Sequence, residues 1–185
     1  MTPANDTVRL FFALWPSDLA RQQLASLLKE PLRQLPGHHV PVANWHITLA
    51  FLGDVPIAQL SCVEAAGAAT RATSFELQLD SLGYFRTSRV VWLGATQCPP
   101  ALSALVSRLQ ASLAACDIAL DARPFAAHLT LARKVNRRPT LGAVPTFTWP
   151  VDSFALVESI LTPKGASYIV RQRWPLRAAS ADVAG

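Results

Sequence analysis

The sequence is poor in charge and in cysteine, and it has no long hydrophobic run. Of its 185 residues only 16% are charged and 51% are hydrophobic, which is the opposite of the composition of a disordered chain. The apolar run near the N-terminus covers only residues 10–15, too short for a signal peptide or a membrane span. We therefore expect one folded domain over residues 1–185, or one domain with two lobes, and no membrane segment.

The three cysteines, Cys62, Cys98 and Cys116, form no C-x-x-C pair. An odd number without paired spacing supports neither a disulfide framework nor a zinc ribbon, so we expect reduced, packed cysteines in a cytoplasmic protein. The sequence also lacks a G-x-G-x-x-G segment after its first strand and a G-x-x-x-x-G-K-[ST] loop. Both absences argue against dinucleotide and nucleoside triphosphate binding by those routes.

Positive charge is in modest excess. Lys and Arg number 17 against 12 Asp and Glu, which gives a net charge of +5, and the pI is near 9.6. This balance suits an anionic partner, although many ordinary domains are as basic. The group Arg133, Lys134, Arg137 and Arg138 could guide an RNA backbone toward a site, or it could form an ordinary basic loop.

Hydrophobic periodicity predicts helices that alternate with strands. A buried strand over residues 8–15 precedes a helix that Ser17 or Asp18 caps and that continues to about Leu35. The leucines expected to form the buried face of this helix are Leu19, Leu24, Leu27 and Leu28.

The rest of the chain continues in the same manner. Further helices are predicted over 57–73 and 99–116, and further strands over 45–53, 75–85, 90–97, 128–135, 147–159 and 166–176. We also expect a bulge at Pro150 and a flexible tail over about 178–185. Paired strands interspersed with helices predict an α+β fold with mixed or antiparallel sheets.

One tetrapeptide pattern occurs twice. His46-Ile47-Thr48-Leu49 and His128-Leu129-Thr130-Leu131 both lie on predicted strands. Side chains two apart share one face of a strand, so each histidine faces the same way as its threonine while the apolar residues face a core. If the halves are related by a pseudo-two-fold axis, both faces can meet in one central cleft. A single His-x-Thr would more often be structural, but the repetition favours a functional site.

Two imidazoles and two hydroxyls around one anion suit in-line displacement at phosphorus. A neutral imidazole can take a proton from the attacking water, and a charged one can give a proton to the leaving oxygen. Threonine hydroxyls can donate hydrogen bonds to the phosphate oxygens as negative charge builds there. This chemistry needs no metal and no other cofactor, and the two histidines have no nearby Asp, Glu or Cys cluster that would complete a zinc site.

On these residues the chain resembles the two-histidine (2H) phosphoesterases, and within them the RNA 2′,3′-cyclic phosphodiesterases, formerly called 2′-5′ RNA ligases. The segments that carry the resemblance are RLFFAL, NWHITLAFLG, SRVVWLG, HLTLAR, FALVES and the late strand from Tyr168 to Trp174. The resemblance implies a two-lobed α+β fold with helices outside. It also implies hydrolysis of 2′,3′-cyclic phosphate ends of RNA or nucleosides to 2′-phosphates by a monomer.

Position by position, the resemblance implies that His46 and His128 are the catalytic histidines and that Thr48 and Thr130 hold the phosphate. It also places an arginine of the phosphate site at Arg133. Strict alternation from His128 would put Arg133 on the face away from the cleft, so this role requires a strand end or a bulge.

The resemblance further suggests Phe12 and Phe51 as aromatics that flank a nucleobase, although either could be an ordinary core residue. The side chain of Ala126, two residues before the second histidine, can offer neither stacking nor a hydrogen bond. The residues alone do not order the two histidines. The family suggests that His46 protonates the leaving 3′ oxygen and that His128 activates water.

Other functions stay open from the sequence. The same site could act on another small cyclic nucleotide or on ADP-ribose cyclic phosphate, or could join RNA ends in the reverse reaction. A different class is an RNA-binding module without turnover. The intact pairs of histidine and threonine favour the enzyme, because a module that only binds RNA has no need of a matched acid and base.

Overall fold

The computed structural model describes residues 6–120, 123–163 and 165–178. The strands in these residues are β1 Thr7–Leu14, β2 His38–His39, β3 Ile47–Pro56, β4 Phe75–Leu79, β5 Ser81–Phe85, β6 Val90–Gly94, β7 His128–Arg133, β8 Phe147–Val151, β9 Ser153–Thr162 and β10 Gly165–Pro175. The helices are α1 Asp18–Leu27, α2 Lys29–Gln34, α3 Leu60–Ala69 and α4 Pro100–Leu113, with short 3-10 turns at Val42–Asn44, Ile57–Gln59 and Ala114–Cys116.

Most strands form one antiparallel sheet with the order β10-β9-β1-β3-β7-β6-β5, while β4 and β8 pair separately. Strands β3 and β7 meet through a single residue pair, Ile47 with Leu129, whereas β1 and β3 pair along nearly their whole length. This narrow seam divides the sheet into a lobe of β10-β9-β1-β3 and a lobe of β7-β6-β5. The predicted α+β fold with antiparallel sheets is confirmed.

The main core lies between one face of this sheet and the helices. Leu10, Phe12 and Leu14 of β1 belong to it, together with buried leucines of α1 and α4. Phe11 and Ala13 alternate with them and lie on the opposite face, in a smaller apolar cluster with residues of β9 and β10. His46 lies on this second face, where its ring contacts Phe11, and we use the word cleft for the region between the lobes on this face.

The first predicted helix is correct in position but divided. Ser17 caps α1, since its Oγ accepts a hydrogen bond from the Ala20 amide at 3.2 Å. A second helix begins at Lys29, and Pro31 in it lacks the amide that would continue α1. The expectation for Leu19 is wrong, because its side chain is 65% exposed. Each residue turns the helix by about 100°, so the five residues from Leu19 to the buried Leu24 place the two side chains on different faces of α1.

Two predicted strands are each divided by an aspartate. The segment 75–85 divides at Asp80 into β4 and β5, which belong to different sheets. The segment 147–159 divides at Asp152 into β8 and β9, and Pro150 stays in register opposite β4 without the expected bulge. Aspartate is unfavourable in strands because its side chain competes for local backbone hydrogen bonds, which makes both positions natural breaks.

The expectation of three reduced cysteines is wrong for two of them. Cys62 on α3 and Cys116 after α4 form a disulfide, with Cα atoms 5.7 Å apart. Helices α3 and α4 pack against each other, which brings together residues separated by 54 positions in the sequence. Only Cys98 is free, and it is exposed. Sequence spacing carries no information on such a contact.

Two sequence expectations concern the ends of the chain and the membrane. Among the residues that the structure describes, no helix is long and apolar enough to cross a membrane. The tail expected to be flexible lies, from residue 179 onward, outside the described residues.

Candidate active site

The seam between the lobes places the two motifs next to each other. Ile47 and Leu129, which form the single pair of β3 and β7, are fully buried on the helix side of the sheet. Because side chains alternate along a strand, the residues on either side of this pair face the cleft. The antiparallel pair thus acts as the centre of an approximate two-fold relation between the lobes.

Around this centre the register sets His46 beside Thr130 and Thr48 beside His128. All four residues are half-buried. The charge of a protonated His128 lowers the pKa of His46, which shows that the imidazoles are within electrostatic reach of each other. The structure therefore brings together the four residues that the sequence singled out as two pairs.

Each imidazole is oriented in the same way. His46 Nδ1 lies 2.7 Å from the carbonyl oxygen of Asn44, and His128 Nδ1 lies 2.8 Å from that of Ala126. A carbonyl oxygen can only accept, so Nδ1 carries the hydrogen and donates it, which leaves Nε2 as the atom that can exchange a proton. Ala126 therefore contributes through its backbone, although its side chain cannot.

The surroundings of the two imidazoles differ. His46 lies among three aromatic rings, with ring centres at 4.8 Å from Phe11, 5.4 Å from Trp15 and 5.2 Å from Tyr168. Trp15 is nearly parallel to the imidazole, and the Arg21 guanidinium lies over the indole at 4.8 Å. Trp15 thus contacts both the imidazole and the guanidinium of the buried Arg21.

The second imidazole is more open. His128 has Phe85 edge-on at 5.0 Å and Trp92 at 6.5 Å. The Trp92 indole lies across Gly83, where a Cβ atom would come within 2.0 Å of it. Glycine at this position is thus required for the aromatic wall beside His128.

These surroundings change the proton affinity of both histidines. Burial is the main cause that lowers the pKa of His46 to about 4; the Asn44 carbonyl opposes it, and the positive charges of Arg133 and Arg21 act in the same direction as burial. Burial also lowers the pKa of His128, as does Arg133, against the Ala126 carbonyl. Both imidazoles are therefore neutral near neutral pH when no anion is bound.

Arg133 lies at the end of β7 on the cleft side. Between the pairs Trp92–Thr130 and Val91–Ala132 the register shifts by one residue, which leaves Leu131 as a bulge. Leu131 and Ala132 are both fully buried, and Arg133 is exposed. The bulge that the sequence required is present, and the effect of Arg133 on the pKa of both histidines places its charge near them.

The expectation for Phe12 is wrong. Its side chain is fully buried, with Phe154 and Trp174 rings at 6.2 and 5.7 Å. A base cannot reach it. The neighbouring Phe11 lies on the cleft face instead, because adjacent residues of a strand point to opposite faces.

Phe51 lies on the cleft face and is 44% exposed. Phe51 pairs with Phe11 of β1, and Thr48 pairs with Ala13 of β1. A register shift in β3 between these two pairs places Thr48 and Phe51, which are three residues apart, on the same face of the sheet. The Arg9 guanidinium lies 4.9 Å from the centre of the Phe51 ring. Stacking of a base on Phe51 stays a prediction.

Sequence reasoning missed the aromatic and cationic surroundings of His46. Alternation groups Phe11 with Trp15, which directly follows β1, on one face, but it does not show that this face is the one toward the site. Tyr168 and Arg21 carry no such pattern, since they come from other elements that only the tertiary fold brings to the site.

In the described ranges, no group of three or more His, Cys, Asp or Glu side chains is placed to hold a metal ion. His38 and His39 pair with the end of β7 as the short strand β2, and both are exposed. Their contribution is thus a backbone pairing at the end of β7.

Comparison with known proteins gives concordant results. The family described as the 2'-5' RNA ligase superfamily matches residues 15–161. The RNA 2',3'-cyclic phosphodiesterase of Escherichia coli K12 is 33% identical over 175 residues, covering 93% of this chain and 98% of the relative. The enzyme of the same name from Thermus thermophilus is 33% identical over 182 residues, covering 92% and 91%. The crystal structure of E. coli LigT complexed with 3'-AMP has a TM-score of 0.84 and 31% identity, covering 92% of this chain and 98% of that one.

Proposed function

Because this chain belongs to the 2'-5' RNA ligase superfamily, we propose that it hydrolyses 2',3'-cyclic phosphate ends to 2'-phosphates, as an RNA 2',3'-cyclic phosphodiesterase. The observation that carries the proposal is the seam between the lobes. There the register sets His46 beside Thr130 and Thr48 beside His128, and the Nδ1 atom of each imidazole donates to a backbone carbonyl. A matched pair of proton-exchanging Nε2 atoms is what hydrolysis of a phosphodiester requires.

In the proposed reaction a water oxygen attacks phosphorus and the bond from phosphorus to the 3′ oxygen breaks. The neutral imidazole takes one proton from the water, and the charged imidazole gives one to the 3′ oxygen. The products are a 2′-phosphate and a free 3′ hydroxyl. One imidazole ends charged and the other neutral, so proton exchange with solvent resets the pair.

The phosphate is held by the remaining groups. The hydroxyls of Thr48 and Thr130 donate hydrogen bonds to its non-bridging oxygens. The guanidinium of Arg133 offers a planar fork that can bind two oxygens as they gain charge. These donors are in place before the reaction, so they stabilise the transition state without reorganisation.

The order of acid and base depends on the bound anion. Burial keeps His46 neutral in the free protein, whereas the family resemblance suggests that this histidine is the acid. A phosphate between the imidazoles and Arg133 raises the pKa of both histidines, since it offsets the positive charges that lower them. Protonation of His46 is therefore coupled to substrate binding in this proposal.

The test is incubation of the protein with an oligonucleotide that ends in a 2′,3′-cyclic phosphate, in the presence of EDTA. We expect conversion to the 2′-phosphate, identified by mass and by resistance to enzymes that act on 3′-phosphates. His46→Gln and His128→Gln, shown to be folded by circular dichroism, are the controls. Loss of activity in EDTA with rescue by Mn²⁺ or Zn²⁺ would contradict the metal-free mechanism, and full activity of either variant would contradict the assigned pair.

The proposal includes a monomeric protein in the cytoplasm, as the sequence predicts. Size-exclusion chromatography with light scattering tests the first part. The Cys62–Cys116 disulfide is uncommon in a reducing compartment, so cell fractionation and thiol labelling of the native protein test the second.

A further inference from the structure

Two loops at the Arg133 end of the second lobe form one surface. The turn at residues 86–89, between β5 and β6, packs on the segment that follows β7. The Val135 amide donates to the Arg89 carbonyl at 3.0 Å, and the Arg89 guanidinium donates to Asn136 Oδ1 at 3.1 Å. The Tyr84 hydroxyl donates to the Val135 carbonyl at 2.7 Å. These bonds hold the two loops together.

This surface carries positive charge only. We call it the basic ridge, and its residues are Arg86, Arg89, Lys134, Arg137 and Arg138, all of them exposed. The segments that surround it, residues 31–53, 81–116 and 123–151, contain no Asp or Glu.

The cations of the ridge differ from three other arginines of the surface. Arg9, Arg33 and Arg171 each form an ion pair with a carboxylate. In the part of the chain that the structure describes, no carboxylate lies within ion-pair distance of a ridge cation. The positive charge of the ridge is therefore open to a partner from solution.

The ridge begins at the active site. Arg133, whose charge reaches both histidines, directly precedes Lys134. On the other loop, Phe85 contacts the His128 ring at 5.0 Å and directly precedes Arg86. A strand whose end lies in the cleft can thus continue over the ridge.

We propose that the basic ridge binds the sugar–phosphate backbone of the RNA strand whose cyclic end lies in the cleft, so that an oligonucleotide is bound more tightly than a mononucleotide. This inference rests on the proposed function. Exposed cations bind phosphates without reading sequence, and the released counterions make such binding dependent on salt. A cyclic mononucleotide has no second phosphate and cannot use the ridge.

The test compares Arg137→Gln/Arg138→Gln with a control of equal charge change, Arg71→Gln/Arg108→Gln. The control residues are exposed; Arg71 follows α3, Arg108 lies in α4, and the Arg108 guanidinium donates to the Arg71 carbonyl. For a cyclic-phosphate oligonucleotide we expect kcat/KM of the ridge variant to fall more than about tenfold near 0.1 M salt. Each phosphate contact to a single strand contributes about −0.7 to the slope of log affinity against log salt concentration, so two lost contacts weaken binding strongly at this salt concentration. Adding Arg86→Gln from the other loop should deepen the loss.

For a nucleoside 2′,3′-cyclic monophosphate, both variants should match the wild type. An equal loss on both substrates, or an equal loss in the control variant, would overturn the inference. Fluorescence anisotropy with a labelled oligonucleotide that ends in a 2′-phosphate gives a second readout without turnover. If the wild type hydrolyses neither substrate, the proposed function fails, and the anisotropy still decides the ridge: weaker binding by the ridge variant alone supports it, and equal binding refutes it.

Discussion

The lowered pKa of His46 predicts a specific loss of stability in mild acid. The folded protein holds this imidazole among three aromatic rings, and burial lowers its pKa from 6.5 to about 4. In the unfolded chain the ring returns to its usual pKa. Above pH 6.5 neither state binds the proton, so His46 imposes no penalty. As the pH falls toward 4, the unfolded state binds a proton that the folded state does not.

The free energy of unfolding should therefore fall by about 2 kcal/mol between about pH 7.5 and about pH 5 because of His46, and by about 3 kcal/mol once the pH is below 4. His128 adds a loss of the same sign, since its pKa is also lowered. The share of His46 is isolated by the variant His46→Gln, which cannot titrate.

The assay is equilibrium unfolding in urea, followed by circular dichroism, for wild type and His46→Gln at both pH values. The wild type should lose about 2 kcal/mol more than the variant between the two conditions. Any constant effect of the substitution cancels in this comparison. Equal losses in the two proteins would refute the burial argument for His46.

Three further predictions follow from the site and the disulfide. His46→Ala and His128→Ala should each lower kcat by about 100-fold or more, with the double variant scarcely worse, as steady-state kinetics on folded protein can check; a variant that keeps a large part of the wild-type kcat contradicts the pairing. Arg133→Lys should lower kcat/KM, and Arg133→Met should lower it further. The Met variant should also move the pH profile to higher pH, since loss of the positive charge raises the pKa of both histidines. Kinetics equal to those of the wild type would show that Arg133 is a solvated residue without a role in the site. Cys62→Ser/Cys116→Ser should lower the free energy of unfolding by about 4 kcal/mol, given a sequence separation of 54, and an unchanged urea midpoint would show that the bond does not stabilise the protein.

The repeated His-x-Thr pattern shows how much of the site was local. Strand alternation alone predicted that each histidine shares a face with its threonine and that Ile47 and Leu129 face the core. The structure confirms both, and it makes those two apolar residues the single ladder pair between β3 and β7. Local periodicity was sufficient because it depends on neighbours two positions apart.

The same rule failed where a strand has an extra residue. Strict alternation placed Arg133 away from the cleft, and a bulge at Leu131 reverses that. Alternation alone also does not decide which of the two faces of the first strand points to the site. Phe12 was therefore predicted to flank a base, whereas Phe11 is the residue that faces the site. A bulge or a choice of face is decided by pairing with another strand, and no single strand sequence contains it.

By itself, then, the sequence determined the α+β class, most helices and strands, and the two pairs of histidine and threonine, because hydrophobic periodicity and repeated motifs are local properties. Only the tertiary structure decided which rings surround His46, why its pKa falls, and that Cys62 meets Cys116. It also decided that the turn at 86–89 and the loop after β7 form one basic surface. These features depend on contacts between residues far apart in the chain, and burial, electrostatic shifts and covalent cross-links exist only once those contacts form.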